Sequence, residues 1–259
     1  MKKRLVFVAM ALLSLSVTAF AADNLPLNGQ KGVYAGVEVS TNYMHVETKP
    51  SVNKTYTVAT PAIAVTAGYG TELYQIGVFG DAGSQTVKGI FDQFGDAKGT
   101  VPIFGINAKV VPIRIGQFKA GLVSDVKYVG KGTGSVDMSW RGYPTNLRFD
   151  TGPLWVWSTG MIAQYQPCKY FAVYAGEKYE DLAAGKATMT ASTTIGLPVK
   201  KAASMTYSSA LTVHLRETDN FSTVAGVVIA PSKNVSVIVQ GRYTESVPMS
   251  FLASAEYRF

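Results

Sequence analysis

The feature that most narrows what this chain can fold into is a two-residue alternation of side chains, sustained for long stretches and renewed about a dozen times. Successive side chains of a strand point to opposite faces, so sustained alternation predicts strands whose two faces are unlike. It is read at 31–44, 58–69, 73–82, 101–111, 118–129, 153–166, 170–179, 186–197, 204–216, 221–230, 235–244 and 249–259, and most of these stretches are 9 to 14 residues long. Strands of soluble proteins run to about five or six residues, whereas about nine to eleven are needed to cross a bilayer at a tilt. Apolar residues at helical spacing are nowhere sustained, and beyond the first twenty or so positions no run of 18 apolar residues occurs. Gly, Pro, Asn and Asp punctuate the stretches, and the chain holds 25 glycines and 14 tyrosines. An all-β protein is expected.

The connections alternate too. Gly70 to Glu72, Pro112 to Gln117, Pro167 to Lys169, Pro198 to Ala203 and Pro231 to Asn234 are compact. Between them lie longer or more polar segments at 45–57, 83–100, 130–152, 180–185, 217–220 and 245–248. The segment 130–152, with Trp140, Arg141, Tyr143, Arg148 and Phe149, is the longest. It either folds inward or extends a hairpin through Ser135 to Arg141 and Asn146 to Asp150.

The two faces of the strands separate sharply. One carries Val33, Val37, Ile63, Val65, Ile76, Val78, Phe104, Ile106, Leu122, Val126, Val173, Ile195, Leu211, Val227, Ile229, Val237 and Val239, with a single charge, Glu177. The other carries Glu38, Asp81, Lys109, Lys119, Asp125, Lys127, Lys178, Arg216, Arg242, Glu256 and Arg258, eleven charges, among many serines and threonines. In water the first face would be a continuous hydrophobic belt that only lipid can cover. Aromatic residues gather at both ends of it. Toward the short turns lie Tyr69, Tyr74, Phe118, Tyr165, Phe171, Tyr207, Tyr257 and Phe259; toward the long loops lie Tyr43, Tyr128, Trp155, Trp157, Phe221, Tyr243 and Phe251. Rings with an apolar body and a polar tip collect at headgroup depth. The pattern predicts a transmembrane antiparallel up-and-down β-barrel of about 12 strands, with 10 or 14 also allowed.

The first residues bear on location. Met1 to Arg4 is basic, Leu5 to Val17 is apolar, and Ala19-Phe20-Ala21 has the small-x-small form of a cleavage site. Residues 1–21 are therefore expected to be a cleaved signal peptide, 22–30 a short N-terminal segment and 31–259 the barrel. Loss of Lys2, Lys3 and Arg4 lowers the formal charge from +7 to +4, which gives no ground for a nucleic-acid partner. The one cysteine, Cys168, makes no intrachain disulfide.

The last residues carry a resemblance. Phe251, Ala253, Ala255, Tyr257 and Phe259 alternate with Leu252, Ser254, Glu256 and Arg258 up to the final aromatic. This resembles the C-terminal assembly signal of bacterial outer-membrane β-barrel proteins, with Phe251, Tyr257 and Phe259 as its main members. The resemblance implies the outer membrane as location, lipid and lipopolysaccharide as surroundings, and the barrel-assembly machinery as a partner during biogenesis. An autotransporter translocator is not expected, since it needs a long upstream passenger and only Ala22 to Gln30 precede the first strand.

Catalytic patterns are weak. A serine hydrolase needs a base beside its nucleophile, and the chain has two histidines. His214 stands between Thr212 and Arg216, where outer-membrane lipases resembling this layout place a Ser after the His and barrel proteases place an acid before it. His45 has Thr41 and Glu47 nearby. Gly130 to Ser135 lacks the spacing of a phosphate loop, and Asp92 with Asp96 lacks that of a calcium loop. No catalytic residue, metal or cofactor is expected. Function is read from the inner charges: Lys109, Lys119, Lys127, Lys178, Arg216, Arg242 and Arg258 outnumber Glu38, Asp81, Asp125 and Glu256. With small residues leaving room, the sequence suggests a passive channel for small polar, anionic solutes. The alternative is a non-conducting barrel that displays loops for adhesion, envelope stability or partner binding.

Overall fold

A computed structural model describes residues 27, 31–49, 55–88, 97–140, 143–184, 186–196, 204–217, 220–245 and 247–259. The expected signal peptide lies outside them. The described residues form fourteen antiparallel strands and no helix. In chain order these are β1 (Gly32–Lys49), β2 (Thr55–Gly70), β3 (Tyr74–Lys88), β4 (Ala97–Ile115), β5 (Phe118–Val129), β6 (Gly132–Trp140) and β7 (Tyr143–Thr151). They continue as β8 (Leu154–Cys168), β9 (Phe171–Ala184), β10 (Lys186–Gly196), β11 (Ser204–Glu217), β12 (Phe221–Ser232), β13 (Val235–Thr244) and β14 (Val247–Arg258).

Ten of them close a ring in the order β1-β2-β3-β4-β5-β8-β9-β12-β13-β14, and β14 returns to β1 with Tyr34 to Thr41 facing Arg258 to Phe251. The turns at one end are short. Ile115 passes to Phe118 through Gly116, whose φ of 57° lies in the left-handed region that a side chain resists.

The ring has the lower of the expected strand counts because the stretches at 186–197 and 204–216 are not part of it. β9 pairs directly with β12, Phe171 to Ile229 and Phe221 to Tyr179. β10 and β11 instead form a hairpin on the loop side, where Glu217 to His214 pair with Val46 to Lys49 at the far end of β1. The sequence holds a reason. One face of β10 is Thr188, Thr190, Ser192 and Thr194, and the other is only Ala187, Met189, Ala191, Thr193 and Ile195, a face with little to gain from lipid. The long segment 130–152 takes the second of its two expected forms. It makes the β6–β7 hairpin, and β7 pairs with β10, Thr151 to Thr145 against Ala187 to Thr193. The backbone at Thr133 and Gly134 lies against Gly99 of β4. A polar sheet thus rises beyond the ring, cross-linked by Thr133 to Asp150 at 2.7 Å and Asn146 to Asp137 at 2.7 Å, while Arg148 bonds Asp150 along the same strand at 2.8 Å.

In the ring the faces fall as the alternation predicts. Val33, Val37, Val65, Ile76, Val78, Phe104, Ile106, Leu122 and Val126 are exposed on the outer wall. Two aromatic girdles edge that wall, Tyr69, Tyr74, Phe118, Tyr165, Phe171, Tyr257 and Phe259 at the short-turn end and Trp155, Trp157, Phe221, Tyr243 and Phe251 at the other. In the upper girdle the rings touch across strands, Tyr128 with Trp155 at 5.1 Å and Tyr179 with Trp157 and Phe221 at 5.3 and 5.1 Å. Such pairs add about 0.5 to 1.5 kcal/mol each beyond burial.

Val37 pairs with Val65 on one side and Ala255 on the other, between the girdle levels marked on β14 by Tyr257 and Phe251. Val37→Arg is therefore expected to destabilise the folded barrel by about 2 to 4 kcal/mol, the cost of a cation on the lipid face near mid-depth. Unfolding from lipid vesicles in guanidinium, followed by tryptophan fluorescence, measures it.

Candidate functional site in the barrel lumen

The inner face of the ring carries the expected hydroxyls, among them Ser40, Thr66, Ser222, Ser236 and Ser254, but they are buried and do not border open space. Two apolar clusters occupy the same face. Val111, Val123, Ile162, Tyr174, Val224, Val228, Ile238 and Leu252 form one, joined by Leu27 from before the first strand. Phe79, Val101, Ile103, Val129, Leu154, Val156 and Leu182 form the other. Large rings pack against glycines of neighbouring strands. A Cβ at Gly226 would come 2.5 Å from the Tyr174 hydroxyl, one at Gly68 2.5 Å from that of Tyr34, and one at Gly105 would collide with the Phe79 ring. The room that small inner residues were expected to leave is taken by these rings.

Between the apolar clusters lie the charges. Asp125 and Lys127 on β5, Lys178 and Glu180 on β9, and Arg242 on β13 form one network. Lys127 reaches Glu180 at 3.1 Å and Asp125 at 3.5 Å, and Lys178 reaches Asp125 at 3.1 Å and Glu180 at 3.4 Å. Arg242 donates to the other oxygen of Glu180 at 3.1 Å. Ser158 on β8 donates to Asp125. Every member is buried, Lys178 and Glu180 to 1% exposure. Three cations around two carboxylates leave one net positive charge, so Glu180, touched by all three, is the hub.

A second group sits on the β1, β14 and β4 side. The Arg258 guanidinium lies over the Tyr34 ring at 5.2 Å and reaches Glu256 at 3.9 Å. Lys109 is in electrostatic reach of Glu256 and Glu38. All five are at most 4% exposed. Asp81 is buried on β3, facing Ala64 and Ile103 on its neighbours. Lys119 is half-buried near the short-turn mouth and donates to Gln166 at 3.0 Å.

Of the inner residues expected from sequence, Glu38, Asp81, Lys109, Lys119, Asp125, Lys127, Lys178 and Arg242 are therefore inside the ring. Arg216 is not. It stands on β11 opposite Glu47, in the sheet beyond the ring, because β12 and not β11 is the neighbour of β9. Glu177, the one charge on the outer face, is exposed there and accepts a hydrogen bond from Thr223 at 2.8 Å. Glu180 lies just beyond the stretch 170–179 that alternation marks as a strand, whereas β9 runs on to Ala184. The alternation of Lys178, Glu180 and Leu182 carries that stretch on.

At the chain end, Phe251, Tyr257 and Phe259 stand on the outer face. Tyr257 and Phe259 pack edge to face at 5.1 Å, and the Phe259 amide donates to the Val33 carbonyl at 3.1 Å. A closed ring with a charged and packed interior, an apolar exterior and two aromatic girdles has one setting that satisfies all its surfaces. The protein is an outer-membrane β-barrel.

Neither a protein-family model nor a curated protein matches the sequence. Among solved structures, the chain is similar to the translocator domain of the autotransporter NalP from Neisseria meningitidis, at 13% identity over 100% of this chain and 96% of that one, with a TM-score of 0.47. It is similar also to the outer membrane protein OprG from Pseudomonas aeruginosa, at 12% identity over 90% and 99% with a TM-score of 0.44. The outer membrane protease OmpT from Escherichia coli gives 10% identity over 92% and 100%, with a TM-score of 0.42. At these values no role passes from them to this chain.

Removing one member of a buried ion network leaves its partners uncompensated and costs about 3 to 5 kcal/mol. Glu180→Ala is expected to lower the stability of the folded barrel by that amount. Glu72→Ala, which removes the 2.7 Å pair with Arg114 at the exposed short-turn surface, should cost less than about 1 kcal/mol. Denaturant midpoints of the two variants in the same lipid make the comparison.

Proposed function

We propose that the barrel serves as a sealed membrane anchor for the sheet built from β6, β7, β10, β11 and the far ends of β1 to β4, and that this surface-displayed sheet is the working part. One observation carries the reading. The charged groups that would line a solute path are buried against apolar clusters and against one another, with Lys178 and Glu180 at 1% exposure. A conducting lumen would leave such groups in contact with water. Entry into the membrane through pairing of the final strand with the barrel-assembly machinery belongs to the same reading, as does the absence of a catalytic role.

The second reading is the passive channel for small polar, anionic solutes. It is favoured by the sign of the inner charge. Among the described residues of the ring's inner face, the six cations Lys109, Lys119, Lys127, Lys178, Arg242 and Arg258 exceed the five acids Glu38, Asp81, Asp125, Glu180 and Glu256. Fixed charge of one sign in a narrow tube selects counterions, but an excess of one is weak selection.

Planar bilayers separate the two. The folded protein is expected to add no stepwise conductance to that of the lipid. Steady conductance whose reversal potential in a potassium chloride gradient lies toward chloride would decide for the channel.

A further inference from the structure

Leu27 lies five positions before β1, yet its contacts are on the far wall. In the ring of ten, β8 stands opposite β1. There the Leu27 amide donates to Gln164 Oε1 of β8 at 2.7 Å, and Gln164 Nε2 returns a bond to the Leu27 carbonyl at 3.4 Å. Lys119 of β5 donates to the same carbonyl at 3.3 Å. Gln164 is 1% exposed and so is Leu27. The leucine side chain enters the apolar cluster of Val111, Val123 and Ile162. Its methyl groups lie where a Cβ on Gly121 would approach to 3.1 and 3.2 Å.

We propose that the short-turn mouth of the barrel contains a socket for one residue of peptide backbone with an apolar side chain, filled in cis by Leu27. A buried primary amide facing both the N–H and the C=O of one residue satisfies a peptide unit as a neighbouring strand would. Lys119 adds a charge-assisted bond to the carbonyl, and the glycine makes the hollow for an apolar side chain. The socket therefore selects a backbone and a branched apolar residue, and reads no charge. The inference does not depend on whether the lumen conducts.

Thiol accessibility tests it, in the Cys168→Ser background because Cys168 is exposed. In protein folded into lipid vesicles, Leu27→Cys should react with a membrane-impermeant maleimide at least tenfold more slowly than Lys233→Cys, which sits on the exposed turn after β12. Adding Gln164→Leu or, separately, Lys119→Met should raise the Leu27→Cys rate at least tenfold. Heat-modifiable gel mobility confines each reading to folded barrel, and the two releasing variants serve as substitutes should either fail to fold. Two results would overturn the socket: Leu27→Cys reacting as fast as Lys233→Cys, or a slow rate unchanged by both releasing variants.

Discussion

Everything in this molecule depends on the pairing of β14 with β1. Lipid offers no hydrogen bonds, so each backbone N–H and C=O at membrane depth must find its partner within the sheet. An open edge on either strand would leave a row of them unmet. Eight register pairs from Tyr34–Arg258 to Thr41–Phe251 meet that demand. Closure is also what gives the alternation its meaning, because only a closed ring turns one face of every strand inward and the other outward. The same pairing places Tyr257 and Phe259 at the short-turn girdle and Arg258 over Tyr34 inside. The last strand is at once seam, anchor and part of the packed interior.

The interior then follows from size. A ring of ten is only slightly wider than the eight-stranded barrels that side chains fill completely, and here glycines make room for Tyr34, Phe79 and Tyr174 against neighbouring strands. Charges enclosed in such a space must compensate one another, since each isolated ion would cost several kcal/mol. Glu180 gathers Lys127, Lys178 and Arg242, and Asp125 shares two of them. This arrangement reads as a core that happens to be ionic in part. It accounts for inner charge without requiring a path for solute.

The sidedness of the strands was legible in the sequence, because a period of two maps directly onto two faces: ten of the eleven charges assigned to the inner face are within the ring, and Glu177 is outside it. What the pattern could not distinguish was a strand of the wall from a strand of the sheet above, since both alternate. The outer face of β10, which carries no aromatic residue where each strand of the wall has at least one, was the available signal. Glu180 was missed at a strand boundary, the least determined feature of any such reading. Leu27 had no signal at all. Its segment also holds Leu25, so nothing in the composition singles it out, and its partners Gln164 and Lys119 are distant in sequence and brought together only by closure. Packing of rings over glycines was equally invisible, because it depends on register between strands.

Cross-strand amide contacts measured by nuclear magnetic resonance on the labelled protein in lipid would test the ring most directly. The account predicts contacts between Ala175 and Ala225, joining β9 to β12, together with contacts between Val37 and Ala255 at the seam. Contacts from β9 to residues 186–196 in place of β12 would contradict it, for the ring would then be wider and the packed interior could not stand.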